Sequence, residues 1–145
     1  MDTLVISIPG CGTRFLADLL GCNSVHIEIE DIPDTIIAVP LRNPRDVLKT
    51  WIKRNRDINI FAGRWQRLQR LSNEYTIYPV ALDLPIRDKQ VQRLSEALER
   101  PLAPDWSKRL GHAEGNPELP DFDWSEISAL PLVARFYADD RGQFL

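Results

Sequence analysis

The sequence predicts an α/β domain in three layers, a parallel sheet flanked by helices, with residues 1–145 forming a single unit. Three observations lead there. Short β-branched runs alternate with longer stretches whose apolar residues recur at helical spacing. The first run is apolar on both faces, as a strand covered on both sides must be. The turns that join runs to helices carry proline, glycine and asparagine where helices start and stop.

In chain order, Thr3 to Ile8 is nearly all apolar and ends at Pro9 and Gly10, which suits a buried strand. Thr13 to Leu20 sets Phe15, Leu16, Leu19 and Leu20 on one helical face, and Gly21 stands where a C-cap belongs. Ser24 to Glu30 alternates, with Val25, Ile27 and Ile29 on one side and His26, Glu28 and Glu30 on the other, the pattern of a strand with one wet face. Thr35 to Leu41 is a third strand whose internal Pro40 assigns its last part to a strand end. Asn43 is a good N-cap, Pro44 occupies the favoured first helical position, and Val47, Leu48, Trp51 and Ile52 form an apolar stripe.

A further helix is expected from Arg64 to Ser72 through Trp65, Leu68 and Leu71. Tyr75 to Leu82 is a fourth strand containing Pro79, and Asp88 to Leu98 is an amphipathic helix through Val91, Leu94, Ala97 and Leu98. Arg100 to Asp123 is proline-rich and aperiodic, hence loop, and Leu132 to Tyr137 forms a closing helix after Pro131. Strands alternating with helices imply right-handed crossovers, and in such sheets ligands bind at the carboxyl ends of the strands.

Composition narrows the function. The chain has 145 residues, 43% apolar and 27% charged, enough for one compact domain and too few for two. A net charge of −3 provides no general basic field for nucleic acid. Cys11 and Cys22 form neither a zinc pattern nor a disulfide framework. No apolar run reaches membrane-spanning length, and the N-terminus reads as a strand with no basic leader, so a cytoplasmic protein without membrane or nucleic-acid partners is expected.

Two strand-to-helix turns carry the chemistry. In the first, Gly10 and Gly12 permit close approach of backbone to an anion, and the N–H groups and dipole at the following helix start favour a phosphate. Thr13 adds a hydroxyl and Arg14 a fork of donors. The turn has no lysine, so it does not fit the G-x-x-x-x-G-K-[ST] pattern of ATP-hydrolysing proteins. In the second turn, Arg42 sits at a strand's carboxyl end, and Thr50 lies eight residues on. Arg45, Lys49, Lys53, Arg54 and Arg56 make this stretch locally basic; Lys49, Lys53 and Arg56 read as a solvated face. Two anion-binding turns suggest one ligand carrying more than one phosphate.

The Pro9-Gly10-Cys11-Gly12-Thr13-Arg14-Phe15-Leu16 turn, followed by Arg42-Asn43-Pro44-Arg45-Asp46-Val47 and a hydroxyl at Thr50, resembles the sulfotransferase family. The resemblance rests mainly on residues 3–55, with a weaker echo in Leu82-Asp83-Leu84 and a faint one in Arg141-Gly142. It implies a P-loop-type sheet that binds 3′-phosphoadenosine 5′-phosphosulfate (PAPS) and its product 3′,5′-adenosine bisphosphate (PAP). Gly10, Cys11, Gly12, Thr13 and Arg14 would hold the 5′ side, Phe15 would lie next to the adenine, and Arg42 and Thr50 would hold the 3′-phosphate. The reaction implied is transfer of a sulfuryl group to a hydroxyl or amine of a small-molecule or carbohydrate acceptor. It calls for no metal.

The chain departs from the family in two places. The family's cationic residue in the first turn, which neutralises charge on the bridging oxygen, corresponds to Gly10 here; Arg14 and Arg45 are the basic residues that could replace it. The acceptor also needs a general base. His26 is the first choice and Glu28, on the same strand face, the second. Trp51 and Trp65 read as packing residues, Trp106 and Trp124 as anchors for the proline-rich segment, and His112 has no evident partner. The family's catalytic domains are longer, so the acceptor site would be small, open or completed by a second copy in a homo-oligomer. The alternatives are a non-catalytic nucleotide-binding protein of the same fold and a small nucleotide kinase-like protein.

Overall fold

The structure, a computed structural model, describes residues 3–27, 32, 35–102, 106 and 118–138. The elements are β1 (Thr3–Ser7), α1 (Thr13–Leu20), β2 (Asn23–His26), β3 (Ile36–Leu41), α2 (Pro44–Lys53), a 3₁₀ turn (Ile58–Ile60), α3 (Phe61–Glu74), β4 (Ile77–Ala81), α4 (Arg87–Leu98), α5 (Ser125–Ser128) and α6 (Pro131–Tyr137). The fold is α/β, with a four-stranded sheet in the order β2-β1-β3-β4 and every pairing parallel.

Alternation along the strands divides the core into two layers. Leu4, Ile6, Ile8, Ile37, Val39 and Leu41 pack with α2, α3, α5 and α6, whereas Val5, Ala38 and Val80 pack with α1 and α4. Topology explains the division. The β1-to-β2 connection runs one way across the sheet and the β3-to-β4 connection runs the other way. Right-handed crossovers in opposite directions place their helices on opposite faces. Between β1 and β3 the strand order reverses, and a crevice at the carboxyl ends of such a pair is where ligands bind in open α/β sheets.

Local signals account for most boundaries. Asn43 caps α2 by accepting from the Arg45 N–H at 3.0 Å, with Pro44 as the first helical residue. Gly21 ends α1 with φ 65°, its N–H and the next bonding back to Asp18 and Ala17. Pro79 lies in an edge strand, where a missing donor is tolerated.

Three expectations changed, and that for Pro40 gains its physical reason. The second strand is described over Asn23–His26, starting one residue before the expected Ser24, and residues 28–30 of the expected strand lie outside those described. Pro40 is the penultimate residue of β3, in the strand's last part as expected, and pairs with Val80. Its carbonyl accepts from the Ser7 hydroxyl at 2.7 Å, so the side of Pro40 that lacks an N–H faces β1, whose pairing with β3 extends only to Ala38. The helix after α2 starts at Phe61, three residues before the expected start, because the 3₁₀ turn at Ile58–Ile60 leads into it. The short α5 had no periodic signal. Phe122 and Trp124 just before it close an aromatic cluster on Phe61 at ring separations of 5.7 and 6.4 Å.

Candidate functional site

The turn after β1 is built by its glycines. Ile8, Pro9, Gly10 and Cys11 form a β-turn closed by the Cys11 N–H donating to the Ile8 carbonyl at 3.1 Å, with Gly10 at φ 94° in the position that demands a left-handed residue. Gly12 follows at φ 88° and is the N-cap of α1, without a side chain to cap the helix. Helix geometry leaves the first N–H groups of α1 without intrahelical partners. A Cβ on Gly12 would lie 2.5 Å from Cδ1 of Leu82, so this glycine also lets the β1–α1 turn meet the segment after β4.

The turn after β3 reaches back to the first. The Arg42 guanidinium donates to the Gly10 carbonyl at 2.7 Å, and the Trp51 indole N–H donates to the Pro9 carbonyl at 2.6 Å. Thr50 and Val47 of α2 stand 3.3 and 3.4 Å from where a Gly10 Cβ would be. The Thr50 hydroxyl donates to the Asp46 carbonyl at 3.3 Å, within its own helix. The segments expected at the two ends of one ligand, Gly10 to Arg14 and Arg42 with Thr50, thus adjoin at the β1/β3 reversal.

The segment after β4 completes the ring. The Leu82 N–H donates to the Leu41 carbonyl at 2.9 Å. Asp83 Oδ2 accepts the Asn43 N–H at 2.7 Å, and Asp83 Oδ1 accepts the Tyr137 hydroxyl at 2.6 Å. Sequence reasoning noted Asp83 only as part of an echo and missed Tyr137, which lies 54 residues away and reads locally as helix packing.

No family model, curated protein or solved structure matches this chain in comparison.

Other expected residues have these settings. Cys11 is fully buried; burial pushes its thiol up to about 12, with the Ser7 hydroxyl and Arg42 backbone N–H in contact and pulling the other way. With its N–H already donated to Ile8, Cys11 supports the turn from inside. Thr13 is buried as the first residue of α1, Arg14 is exposed in the first turn, and Phe15 is half-buried against the layer of α1 and α4. His26 is exposed at the carboxyl end of edge strand β2, in register with Ser7 of β1. Glu28, His112 and Arg141-Gly142 lie outside the described residues.

Burial pushes the Tyr137 hydroxyl well above its ordinary range, and the neighbouring Asp83 carboxylate pushes it further. Tyr137 therefore stays a hydrogen-bond donor throughout the physiological range. Among the described residues, no three His, Cys, Asp or Glu groups lie together as a metal site, and no helix is long and apolar enough to cross a membrane. A separate open cleft of about 460 Å³, lined by Ser72, Tyr75, Thr76, Ile77, Pro79 and Arg135 among others, lies at the amino end of β4. It is at the opposite end of the strand from the ring just described.

Proposed function

We propose that this protein binds PAPS or PAP in a sulfotransferase-like, P-loop-type site at the β1/β3 reversal, and transfers a sulfuryl group to a hydroxyl or amine acceptor. The observation that carries the reading is the 2.7 Å contact of the Arg42 guanidinium with the Gly10 carbonyl. It joins the two segments whose sequences resemble the donor's 5′ and 3′ sites. The supporting physics is general: helix N–H groups at α1 favour an anion, and an arginine has five N–H donors, of which one is used by Gly10 among the described residues. His26 and Glu28 remain the proposed bases, and Arg14 the proposed cation toward the leaving phosphate.

A second reading, a nucleotide binder without transfer, is favoured by one observation. The position that resembles the family's cationic residue is Gly10, held at φ 94° against Thr50 and Val47. Calorimetric titration with PAP and with ATP, with and without magnesium, tests both readings. Magnesium-independent PAP binding is expected. Arg42→Ala should weaken it about 10- to 100-fold, the range for a charge-assisted phosphate contact. Failure of the wild type to bind PAP would overturn both readings. Turnover of PAPS with an acceptor panel would separate transfer from binding.

A further inference from the structure

We propose that Asp83 and Tyr137 are positioning residues that hold Arg42 in its anion-binding geometry; the ligand arm of this inference rests on the function proposed above. Arg42 is fixed at several points. Its backbone N–H lies against the Cys11 sulfur. The peptide N–H that follows it, at Asn43, donates to Asp83 Oδ2 at 2.7 Å, and its guanidinium donates to Gly10. Of these restraints, the Asp83 contact comes from farthest along the chain, forty residues on. Asp83 is exposed on one side and sits in a tight turn, where a carboxylate alone has several rotamers open to it. The Tyr137 hydroxyl restricts it by binding Oδ1 at 2.6 Å.

Two features separate this arrangement from ordinary packing. The Tyr137 ring belongs to the core on the α2, α3 and α6 side, and a phenylalanine would satisfy that role. The hydroxyl's described partner is Asp83, so what tyrosine adds over phenylalanine is a hold on that carboxylate. The second feature is charge. A carboxylate bonded to the peptide that follows Arg42, if left without its second donor, would be free to turn toward the guanidinium and compete with an incoming phosphate. Donors on both oxygens draw the Asp83 charge toward Asn43 and Tyr137, leaving the arginine fork to the ligand. Helix α6, remote in sequence, thereby sets the geometry of the β3–α2 turn.

Tyr137→Phe and Asp83→Asn in the full chain test this. Tyr137→Phe should weaken PAP binding about three- to tenfold, the usual range for one hydrogen bond. In an Arg42→Lys background the same change should have less than a twofold effect, because its action passes through the arginine fork. A ligand-free reading accompanies the titration: nuclear magnetic resonance of the Asn43 amide and the Arg42 Nε–H. Both variants should raise Asn43 amide exchange and broaden the Arg42 signal, while the amides of Val5 and Ala38 in the central strands keep their protection. An unchanged Arg42 signal and unchanged Asn43 exchange would overturn the positioning role, whatever PAP does. If the wild type fails to bind PAP but the Arg42 signal still loosens in Tyr137→Phe, the ligand assignment falls and the positioning role stands. An equal loss of affinity in the Arg42→Lys background would also overturn it, since the effect would then bypass Arg42.

Discussion

Gly12→Ala tests the ring of turns without any ligand. Gly12 sits at φ 88° and ψ 29°, where an L-residue costs about 1–2 kcal/mol more than glycine. The added methyl would also come 2.5 Å from Cδ1 of Leu82, which must leave its rotamer at about 0.5–1.5 kcal/mol. The two effects together predict a loss of about 1.5–3.5 kcal/mol. In urea that lowers the unfolding midpoint by roughly 1 M for a domain of this size. The other glycines supply controls. Gly21 has φ 65° and only the end of the flexible Arg100 side chain near its Cβ position, so Gly21→Ala should show the backbone cost alone. Gly63, in the first turn of α3 with nothing within 4 Å, should gain about 0.5–1 kcal/mol as alanine. Leu82→Val removes the atom that clashes, so in that background the cost of Gly12→Ala should shrink to the backbone part. If Gly12→Ala shifts the midpoint by less than about 0.3 M, or if Leu82→Val leaves its cost unchanged, the packing of the β1–α1 turn on Leu82 is refuted.

Trp51→Phe removes the indole donor from the buried Pro9 carbonyl and should destabilise the fold by about 1–3 kcal/mol, read as a lower urea midpoint; an unchanged midpoint would show the bond is not made. Cys11 makes stability fall at alkaline pH. Its thiol is raised from 9.0 to about 12 in the fold, so above pH 9 the unfolded chain releases a proton that the native chain keeps, and native stability declines by up to roughly 1.4 kcal/mol per pH unit. Urea titrations between pH 8 and 10, below most of the tyrosine ionisation, should show this slope in the wild type and a flatter one in Cys11→Ala. For the transfer reaction, His26→Ala should depress turnover with PAP affinity preserved, and wild-type turnover in that variant would exclude His26 as the base.

What could be read from the sequence was mostly local. Asn43 and Pro44 announce the start of α2 because a cap acts on the N–H groups two and three residues ahead. Gly21 announces the end of α1 for the same kind of reason. Pro40 reads as a strand end, but why proline is tolerated there depends on what stands beside the strand. The β1 ladder has stopped by that level, and no local pattern records it. Of the candidate site, the two turns were legible as segments, since glycine conformations and helix starts are local properties. That the two serve one ligand was an expectation; the contacts that join them were not legible. Arg42 finds the Gly10 carbonyl across 32 residues and Asp83 finds Tyr137 across 54. Asp83 stood out only as part of a weak family echo, with no partner indicated, and Tyr137 reads as any packing residue of a helix.

Binding and transfer ask different things of the turn after β1. Holding a phosphate needs donors that point one way, and the head of α1 with Arg42 beside it can provide them. Moving a sulfuryl group places new negative charge on the bridging oxygen, and that charge needs a cation close by. Position 10 is poorly suited to provide it. At φ 94° any side chain is strained, and its Cβ would press on Thr50, the residue proposed for the other phosphate. A lysine there would aid one end of the ligand while disturbing the other. Arg42 is not a free substitute, because its remaining donors are the ones proposed for the 3′-phosphate and one already holds the Gly10 carbonyl. Of the two basic residues expected to stand in for that cation, Arg45 already has a partner within the fold, whereas Arg14 is exposed one residue into α1, on the same turn as the donors, and can reorient without breaking any described contact. If this protein transfers sulfuryl groups, the charge that makes it possible comes from the helix side of the turn rather than from its apex.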